Sequence, residues 1–277
     1  MLRNYLHDHG LGNYWHSPGI QIYQSGHNRI AYNLIQRTAY NGISMAGMSP
    51  NYMSDPKLMF PSSYVGQWDG WNYFNPRIQD YPPQIVEQLR AGKEAFDRET
   101  IKPYLLSNDN LVDHNAVVEP HSLLEEGGAL YAWCTGKGNI WRDNIVYVSH
   151  GMAGSSVLAL DNMAEYFTVE DNVFWLNGTI LNGVGSRPTE RGNVIHDNTR
   201  VMYRKDQPAL VENPSWWQNV PSREPLDKLF SEIKAEVTKE GGWPGDPPIG
   251  IPGLDDVTKT KASSNLELPP GSHTTIE

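Results

Sequence analysis

The sequence is poor in cysteine and in basic residues. Its one cysteine, Cys134, cannot form a disulfide within the chain, and no spacing of Cys and His residues indicates a zinc site. Lys and Arg total 22 against 32 Asp and Glu, which gives a formal net charge of −10. Because binding to a nucleic-acid backbone requires clustered positive charge, this balance argues against a nucleic-acid partner and against a polyanionic glycan. We expect no metal and no other cofactor.

The sequence also lacks long hydrophobic runs. No stretch is long and apolar enough to span a membrane, and the opening MLRNYLHDHG lacks the charged and then apolar pattern of a signal peptide. The residues themselves therefore assign no compartment. Charged residues make up only 19%, whereas 25 Gly and 20 Pro favour many turns between short strands over long surface helices.

An asparagine followed by an apolar pair, or by the remnant of one, recurs along the chain. Successive occurrences are 29, 82, 29, 28 and 26 residues apart, and the interval of 82 is one period of 29 with 53 residues inserted. A second asparagine-led segment lies upstream of most occurrences, and another strand lies downstream. The main column consists of Asn4, Asn33, Asn115, Asn144, Asn172 and Asn198, and the upstream column of Asn28, Asn110, Asn139 and Asn193. This pattern indicates three short strands per period.

The period predicts an all-β fold, the parallel β-helix. In this solenoid each turn of the chain, a rung, lies on the next at roughly 4.8 Å, and inward side chains stack into an apolar core. Asparagine at one corner of every rung suits a stacked amide ladder, because its side chain satisfies corner backbone groups and tolerates left-handed geometry. The alternative, a β-sandwich, would need hairpin turns and would not explain the period.

The repeat also sets the expected boundaries. We predict β-helix rungs over residues 1–46 and 108–205, separated by a long aromatic insertion over 47–107 that contains a helix in PPQIVEQLRAGKEAFDRET. Residues 206–277 are predicted to form a C-terminal cap helix, EPLDKLFSEIKAEVTKEGG, followed by an irregular tail. Because the chain begins inside a rung, we expect upstream β-helix rungs to be missing from it.

Acidic residues mark two equivalent strands. Glu125 and Glu126 stand directly before the strand GGALYAW, and Asp161 ends the corresponding strand one rung later. The glycine pair Gly127-Gly128 is expected to leave space for a ligand to approach the backbone. Glycoside hydrolysis needs two carboxyl groups flanking the scissile bond, one protonated as the acid and one ionised as nucleophile or base. Acidic residues at strand ends are also common as solvated corners, and the residues alone leave both interpretations open.

Four phrases of the sequence resemble the right-handed parallel β-helix proteins of bacterial glycan degradation. They are RTAYNGISMAG, LLEEGGALYAW, GNIWRDNIVYVSHG and SVLALDNMAEYFTVEDNVFW. That group includes glycoside hydrolases of the α-L-fucosidase and xylanase kind, and its typical phrases are Asp-Gly-Gly-Ala-Ile-Tyr-Thr-Trp and, one rung later, a strand ending in Leu-Asp-Asp. The resemblance covers roughly residues 1–200. It implies a right-handed solenoid and a periplasmic or secreted location in a bacterium.

Carried over to this chain, the resemblance implies Glu126 and Asp161 as the catalytic carboxyl groups, with Glu125 in reserve. Glu126 stands where the group has Asp, and Asn162 stands where the group has a second Asp. Alignment of GGALYAW with SSVLALD pairs Trp133 with Asp161, so the two acids lie near opposite ends of their strands, about 20 Å apart. Either the strand is shorter than drawn or each acid has another partner. The further candidates for that partner are Glu125, Asp55 and Asp69.

Aromatic and histidine side chains complete the predicted site. The predicted substrate-binding residues are Tyr131, Trp133, His121, His150, Trp68 and Trp71. The two insertion tryptophans are suited to stacking on sugar rings, although aromatics that hold the insertion in place fit the pattern equally well. The two histidines share one offset from the asparagine column, so they are expected on adjacent rungs, where a structural pair is the alternative to a role in orienting a carboxylate.

The predicted function is hydrolysis of a neutral polysaccharide or oligosaccharide by this carbohydrate-active β-helix protein. One alternative is a polysaccharide lyase, which removes a proton beside a uronate with a Lys, Arg or His base, often with calcium; the bases it needs are not grouped in this sequence. The other alternative is a non-catalytic glycan-binding or surface solenoid. An ultraviolet-absorbing unsaturated product would identify a lyase, and binding without release of reducing ends would identify the binding protein.

Overall fold

The computed structural model describes ten segments of the chain. They are residues 1–10, 17–47, 82–91, 98–124, 127–148, 156–161, 163–176, 179–182, 192–202 and 215–243. The chain divides into two units, Met1–Gly245 and Asp246–Glu277, and the second unit lies outside the described residues.

Short β-strands dominate the described residues. They are β1 (Tyr5–His7), β2 (Ile20–Tyr23), β3 (Arg29–Ala31), β4 (Leu34–Gln36), β5 (Ile43–Ala46), β6 (Leu111–Asp113), β7 (Ala116–Val118), β8 (Gly128–Trp133), β9 (Ile140–Arg142), β10 (Ile145–Val148), β11 (Ser156–Asp161), β12 (Thr168–Glu170), β13 (Val173–Leu176), β14 (Thr179–Asn182), β15 (Val194–His196), β16 (Asn198–Met202) and β17 (Trp217–Val220).

The strands form three parallel sheets, which the chain visits in a fixed order. The first sheet has the order β1-β4-β7-β10-β13-β16-β17, the second β2-β5-β8-β11-β14, and the third β3-β6-β9-β12-β15. From β3 to β16 the chain passes through the third, the first and then the second sheet before it returns to the third, and β17 then joins the first sheet beside β16. We call each such passage a circuit. The prediction of an all-β fold built from parallel strands is confirmed.

The predicted asparagine ladder is present at the corner between the third and first sheets. Asn144 donates from Nδ2 to Asn172 Oδ1 at 3.0 Å, and its own Oδ1 accepts from the backbone N–H and from Nδ2 of Asn115, both at 3.0 Å. Its Nδ2 also donates to the carbonyl of Val112 at 2.8 Å. Because these side chains are fully buried, each ladder bond satisfies polar groups that have no access to water.

The left-handed position of this corner is not the asparagine itself. It is the residue before each asparagine, where φ lies between 53° and 58°. The residues at this position are Arg3, Tyr32, His114, Asp143, Asp171 and Asp197. The expectation that the asparagine supplies the left-handed geometry is therefore corrected: the asparagine supplies the hydrogen bonds, and its predecessor makes the turn.

The core lies between the three sheets. Side chains alternate along each strand, so one set faces inward and stacks with the corresponding residues of the neighbouring circuits. In the first sheet the stacked inward set is Ile35, Val117, Val146 and Phe174, all buried.

The helices lie outside the sheets. They are α1 (Pro83–Ala91), α2 (Arg98–Ile101), which continues into a 3-10 turn (Lys102–Leu105), and α3 (Glu224–Lys239). Helices therefore occur in both segments where the sequence predicts them. Within the described residues, no helix combines the length and the apolar character needed to cross a membrane.

Helix α3 packs on a face of the first sheet. It contacts β10, β13 and β16 of the first sheet. Near its end, Glu236 lies 3.7 Å from Arg3, and the indole of Trp243 donates to the carbonyl of Tyr32 at 2.9 Å. The reason is the apolar outer face of this sheet, which carries Ile145 and Val173 and needs a cover. The buried stripe of α3 consists of Leu226, Leu229, Phe230, Ile233 and Val237.

Candidate functional site

The outward face of the second sheet collects the predicted aromatic and acidic residues of β8 and β11. Leu130, Ala132, Leu158 and Leu160 point to the core, so the residues between them point outward. The outward set is Ser44 and Ala46 of β5, Tyr131 and Trp133 of β8, and Ala159 and Asp161 of β11. Tyr131 is in register with Ser44 and Ala159, and Trp133 with Ala46 and Asp161.

Tyr131 and Asp161 are hydrogen-bonded across adjacent strands. The Tyr131 hydroxyl donates to Oδ2 of Asp161 at 2.9 Å. Burial raises the pKa of Tyr131, and the nearby Asp161 charge and this hydrogen bond raise it further. The phenol therefore remains a donor throughout the pH range in which proteins are folded.

The second carboxylate oxygen of Asp161 has a different environment. In the part of the chain that the structure describes, Oδ1 is buried and accepts no hydrogen bond. A buried carboxylate oxygen without a donor is costly, so we expect a donor from a ligand or a water molecule to meet it. Tyr131 thus holds one oxygen of the carboxylate, while the other oxygen is buried without a donor among the described residues.

Small side chains surround the large ones on this face. Ser44, Ala46 and Ala159 are buried, whereas Tyr131 and Trp133 are partly exposed. Trp133 is in register with Ala46 and Asp161, so its partly exposed side chain is on the same outward face as the carboxylate. An aromatic ring next to a carboxylate is suited to a ligand with an apolar face and hydroxyl groups.

The register bears on the predicted pair of acids. Trp133 is in register with Asp161, as the sequence alignment predicts, and Gly128 is in register with Ser156. The start of β8 and Asp161 are therefore about 16 Å apart along the strand direction. Glu125 and Glu126 precede that start and lie outside the described residues, so their pairing with Asp161 stays a prediction.

The glycine pair at the start of β8 does not leave an open space. A Cβ on Gly127, whose φ is +91°, would lie 2.7 Å from Oδ1 of Asn41 and 3.2 Å from the hydroxyl of Tyr40. A Cβ on Gly128 would lie 2.8 Å from the backbone nitrogen of Ala159. The expected room for a ligand is corrected: the glycines are needed because the neighbouring circuits pack against them.

His121 is buried next to this strand start. Its Nδ1 lies 2.9 Å from the carbonyl of Leu124, and its ring packs edge-on against Tyr40 with centroids 5.9 Å apart. These contacts hold the segment that leads to Glu125. The described contacts of His121 are therefore structural, and its predicted role in substrate binding stays untested.

The remaining predicted residues lie outside the described part of the chain. They are His150, Trp68, Trp71, Asp55, Asp69 and Asn162. Among the described residues, no group of three or more His, Cys, Asp and Glu side chains is arranged to hold a metal ion.

The sequence analysis did not identify the residues that flank Tyr131, nor a buried ion pair near the ends of β8 and β11. Ser44 and Ala159 flank Tyr131 and could have been found by extending the strand alignment to a third circuit. Lys102 and Glu165, which form a buried ion pair close to these strands, carry no signal in the repeat.

Comparison with known proteins adds no relative: no family model, no curated protein and no solved structure matches this chain.

Proposed function

We propose that the chain is a right-handed parallel β-helix whose second sheet carries a site that hydrolyses a neutral glycan. Three parallel sheets visited in a fixed order and a ladder at every third-to-first corner support the helical arrangement. Parallel strand crossovers are right-handed in almost every known case, which supports the hand.

The observation that carries the proposed reaction is the hydrogen bond from Tyr131 to Asp161. A hydroxyl donor stabilises the ionised form of a carboxyl group. Asp161 is therefore assigned the ionised role, as nucleophile or as the base that activates water. The proton for the leaving group must come from a second carboxyl group, for which Glu126 is the first candidate and Glu125 the second.

The surroundings of Asp161 favour a neutral substrate. The strands of the second sheet contain no Lys or Arg among the described residues, so they offer no partner for a uronate or sulfate group. The partly exposed Trp133 supplies a stacking surface, and the partly exposed Asp161 supplies a carboxylate acceptor for a sugar hydroxyl. This composition also disfavours the lyase, which needs a cation to stabilise the carboxylate beside the departing proton.

The strand register favours a second candidate, a glycan-binding protein without catalysis. Glu126 precedes a strand start that lies about 16 Å from Asp161, whereas the two carboxyl groups of a glycosidase lie about 5 to 9.5 Å apart. If no second carboxyl group approaches Asp161, the same face would bind a glycan and leave it intact.

The test compares wild type with Asp161→Asn, Glu126→Gln and Glu125→Gln on a panel of neutral oligosaccharides. We expect wild type to release reducing ends and Asp161→Asn to lose about 10³-fold or more in kcat while remaining folded. Asp171→Asn, at an exposed corner, is the matched control and should keep its activity. Wild-type turnover in both Asp161→Asn and Glu126→Gln would refute the two-carboxylate proposal. Binding by wild type without cleavage would establish the second candidate.

A further inference from the structure

Lys102 is a buried lysine at the end of the excursion between β5 and β6. Its side chain is 0% exposed, and Nζ lies 3.1 Å from Oε2 of Glu165, whose side chain is 4% exposed. The ammonium also donates to the backbone carbonyls of Thr135 at 3.1 Å and Met163 at 2.5 Å. A single cation thus joins three chain positions at the ends of two neighbouring circuits.

These positions lie just beyond the candidate site. Thr135 follows Trp133 by two residues, and Met163 follows Asp161 by two residues. The turn after Asp161 is closed by a hydrogen bond from the N–H of Ala164 to the Asp161 carbonyl at 3.0 Å. Lys102 therefore fastens the strand ends that carry the indole and the carboxylate of the site.

The same segment fastens the third strand of the face. The hydroxyl of Ser107 donates to the carbonyl of Ala46 at 2.7 Å, and Ala46 is in register with Trp133. The described return of the excursion, residues 102–107, thus binds the C-terminal ends of β5, β8 and β11. These are the strands that present the outward face described above.

We infer that Lys102 is a positioning residue for Asp161, a role that rests on the proposed function of this face. Burying an ion pair gains little stability over an apolar pair of similar size, so stability alone does not explain a lysine here. Hydrogen bonds to two carbonyls and a carboxylate fix the spacing of two strand ends more narrowly than apolar packing does. A displacement of about 1 Å at a reacting group is enough to cost about 10²-fold in rate.

The test removes the ion pair without leaving a buried charge. Lys102→Met alone would leave Glu165 buried without its cation, so the decisive variant is the double substitution Lys102→Met/Glu165→Leu, which replaces both charges by apolar groups. Lys137→Met is the matched control, because Lys137 pairs with Glu99 at an exposed contact that also joins the excursion to the corner after β8. Lys102→Arg tests whether another cation with hydrogen-bond donors can replace the lysine.

Two measurements are made on each variant. The first is kcat and KM on the oligosaccharide that wild type cleaves. The second is the carbon-13 signal of the Asp161 carboxyl group, assigned by its loss in Asp161→Asn. We expect the double variant to stay folded, to lose about tenfold or more in kcat with a smaller change in KM, and to shift the carboxyl signal. The control should change neither, and Lys102→Arg should recover part of the loss.

The carbon-13 signal of the Asp161 carboxyl group tests the inference even if no turnover can be measured. An unchanged Asp161 signal in the folded double variant overturns the positioning role, as does wild-type kcat in that variant. If wild type cleaves no glycan, the proposed function fails, while a shifted signal still assigns Lys102 to the positioning of Asp161.

Discussion

Tyr131 and Asp161 are in register with different residues, yet their side chains meet. Tyr131 pairs in register with Ala159, and Asp161 with Trp133, two positions further along the strand. Their contact at 2.9 Å is therefore a diagonal one between adjacent strands, of the kind that long aromatic side chains can reach. It fixes the carboxylate of one circuit relative to the strand of the circuit before it.

Removing the Tyr131 hydroxyl should slow the reaction. In Tyr131→Phe the Asp161 carboxylate loses the hydrogen-bond donor that orients it, so we expect kcat to fall about tenfold or more. The measurement is kcat on the substrate of the wild type. Tyr5→Phe is the control, because the Tyr5 hydroxyl donates to Gln36 on the first sheet. A kcat equal to that of wild type would count against the assigned role.

The middle of the asparagine ladder should be far more sensitive than its end. Asn144→Ala removes four hydrogen bonds within the buried corner, including those to Asn115 and Asn172, and we expect a loss of about 3 kcal/mol or more in the free energy of unfolding. Asn4→Ala, at a partly exposed end of the ladder, should cost about 1 kcal/mol. Urea unfolding of both variants gives the comparison. Equal losses would show that burial does not control the strength of the ladder.

The stability cost of a substitution at the left-handed corner position should depend on how readily the new residue adopts a positive φ. Asp171 is exposed and has φ of 53°, so Asp171→Gly should be neutral within about 1 kcal/mol, whereas Asp171→Val should cost about 1–2 kcal/mol because a β-branched residue is strained there. Thermal or urea unfolding measures both variants. If valine were tolerated as well as glycine, the corner would have to relax to another conformation.

The Asp8–Arg37 pair should make a pH-dependent contribution to stability. Two hydrogen bonds from Arg37, both 2.6 Å, hold the pKa of Asp8 at about 2. Because this pKa lies below the unfolded value of about 3.9, the contribution is complete above pH about 4 and is lost as the pH falls towards 2. The stability difference between wild type and Asp8→Asn should shrink over that range in urea titrations. A difference that is constant from pH 6 to 2 would exclude the pair as its source.

The repeat made much of the fold predictable from sequence. A buried amide must find partners, so an asparagine that recurs with a period of 26–29 residues indicates a ladder, and the alignment that follows places Trp133 beside Asp161. The left-handed residue escaped prediction, because six different positions carry four residue types, among them Arg, Tyr and His. Asp and His, which occupy four of the six positions, adopt this conformation more readily than Arg and Tyr, so residue type alone does not identify the position.

Other features depend on contacts that no local pattern encodes. The stripe of α3 predicts a helix, but its location on the first sheet depends on which apolar surface remains uncovered. The burial of Lys102 likewise depends on where the excursion returns, and its acceptors are mostly backbone carbonyls, which every sequence possesses. The Tyr131–Asp161 hydrogen bond could have been predicted from the strand alignment, because residues two positions apart on adjacent strands are diagonal neighbours on one face of a sheet.

The corners of a circuit differ in how much length they tolerate. Between β3 and β4, β6 and β7, β9 and β10, and β12 and β13, the corner from the third sheet to the first has two residues, and between β15 and β16 it has one. The connection from the second sheet to the third instead ranges from residues 24–28 to residues 47–110. The corner from the third sheet to the first thus keeps nearly the same length in every circuit, whereas the connection from the second sheet to the third accommodates insertions. A loop grafted between Trp133 and Ile140 would add contacts beside the candidate site, provided that it keeps Thr135, whose carbonyl Lys102 holds, and Asn139, which accepts from Asn110 in the upstream asparagine column.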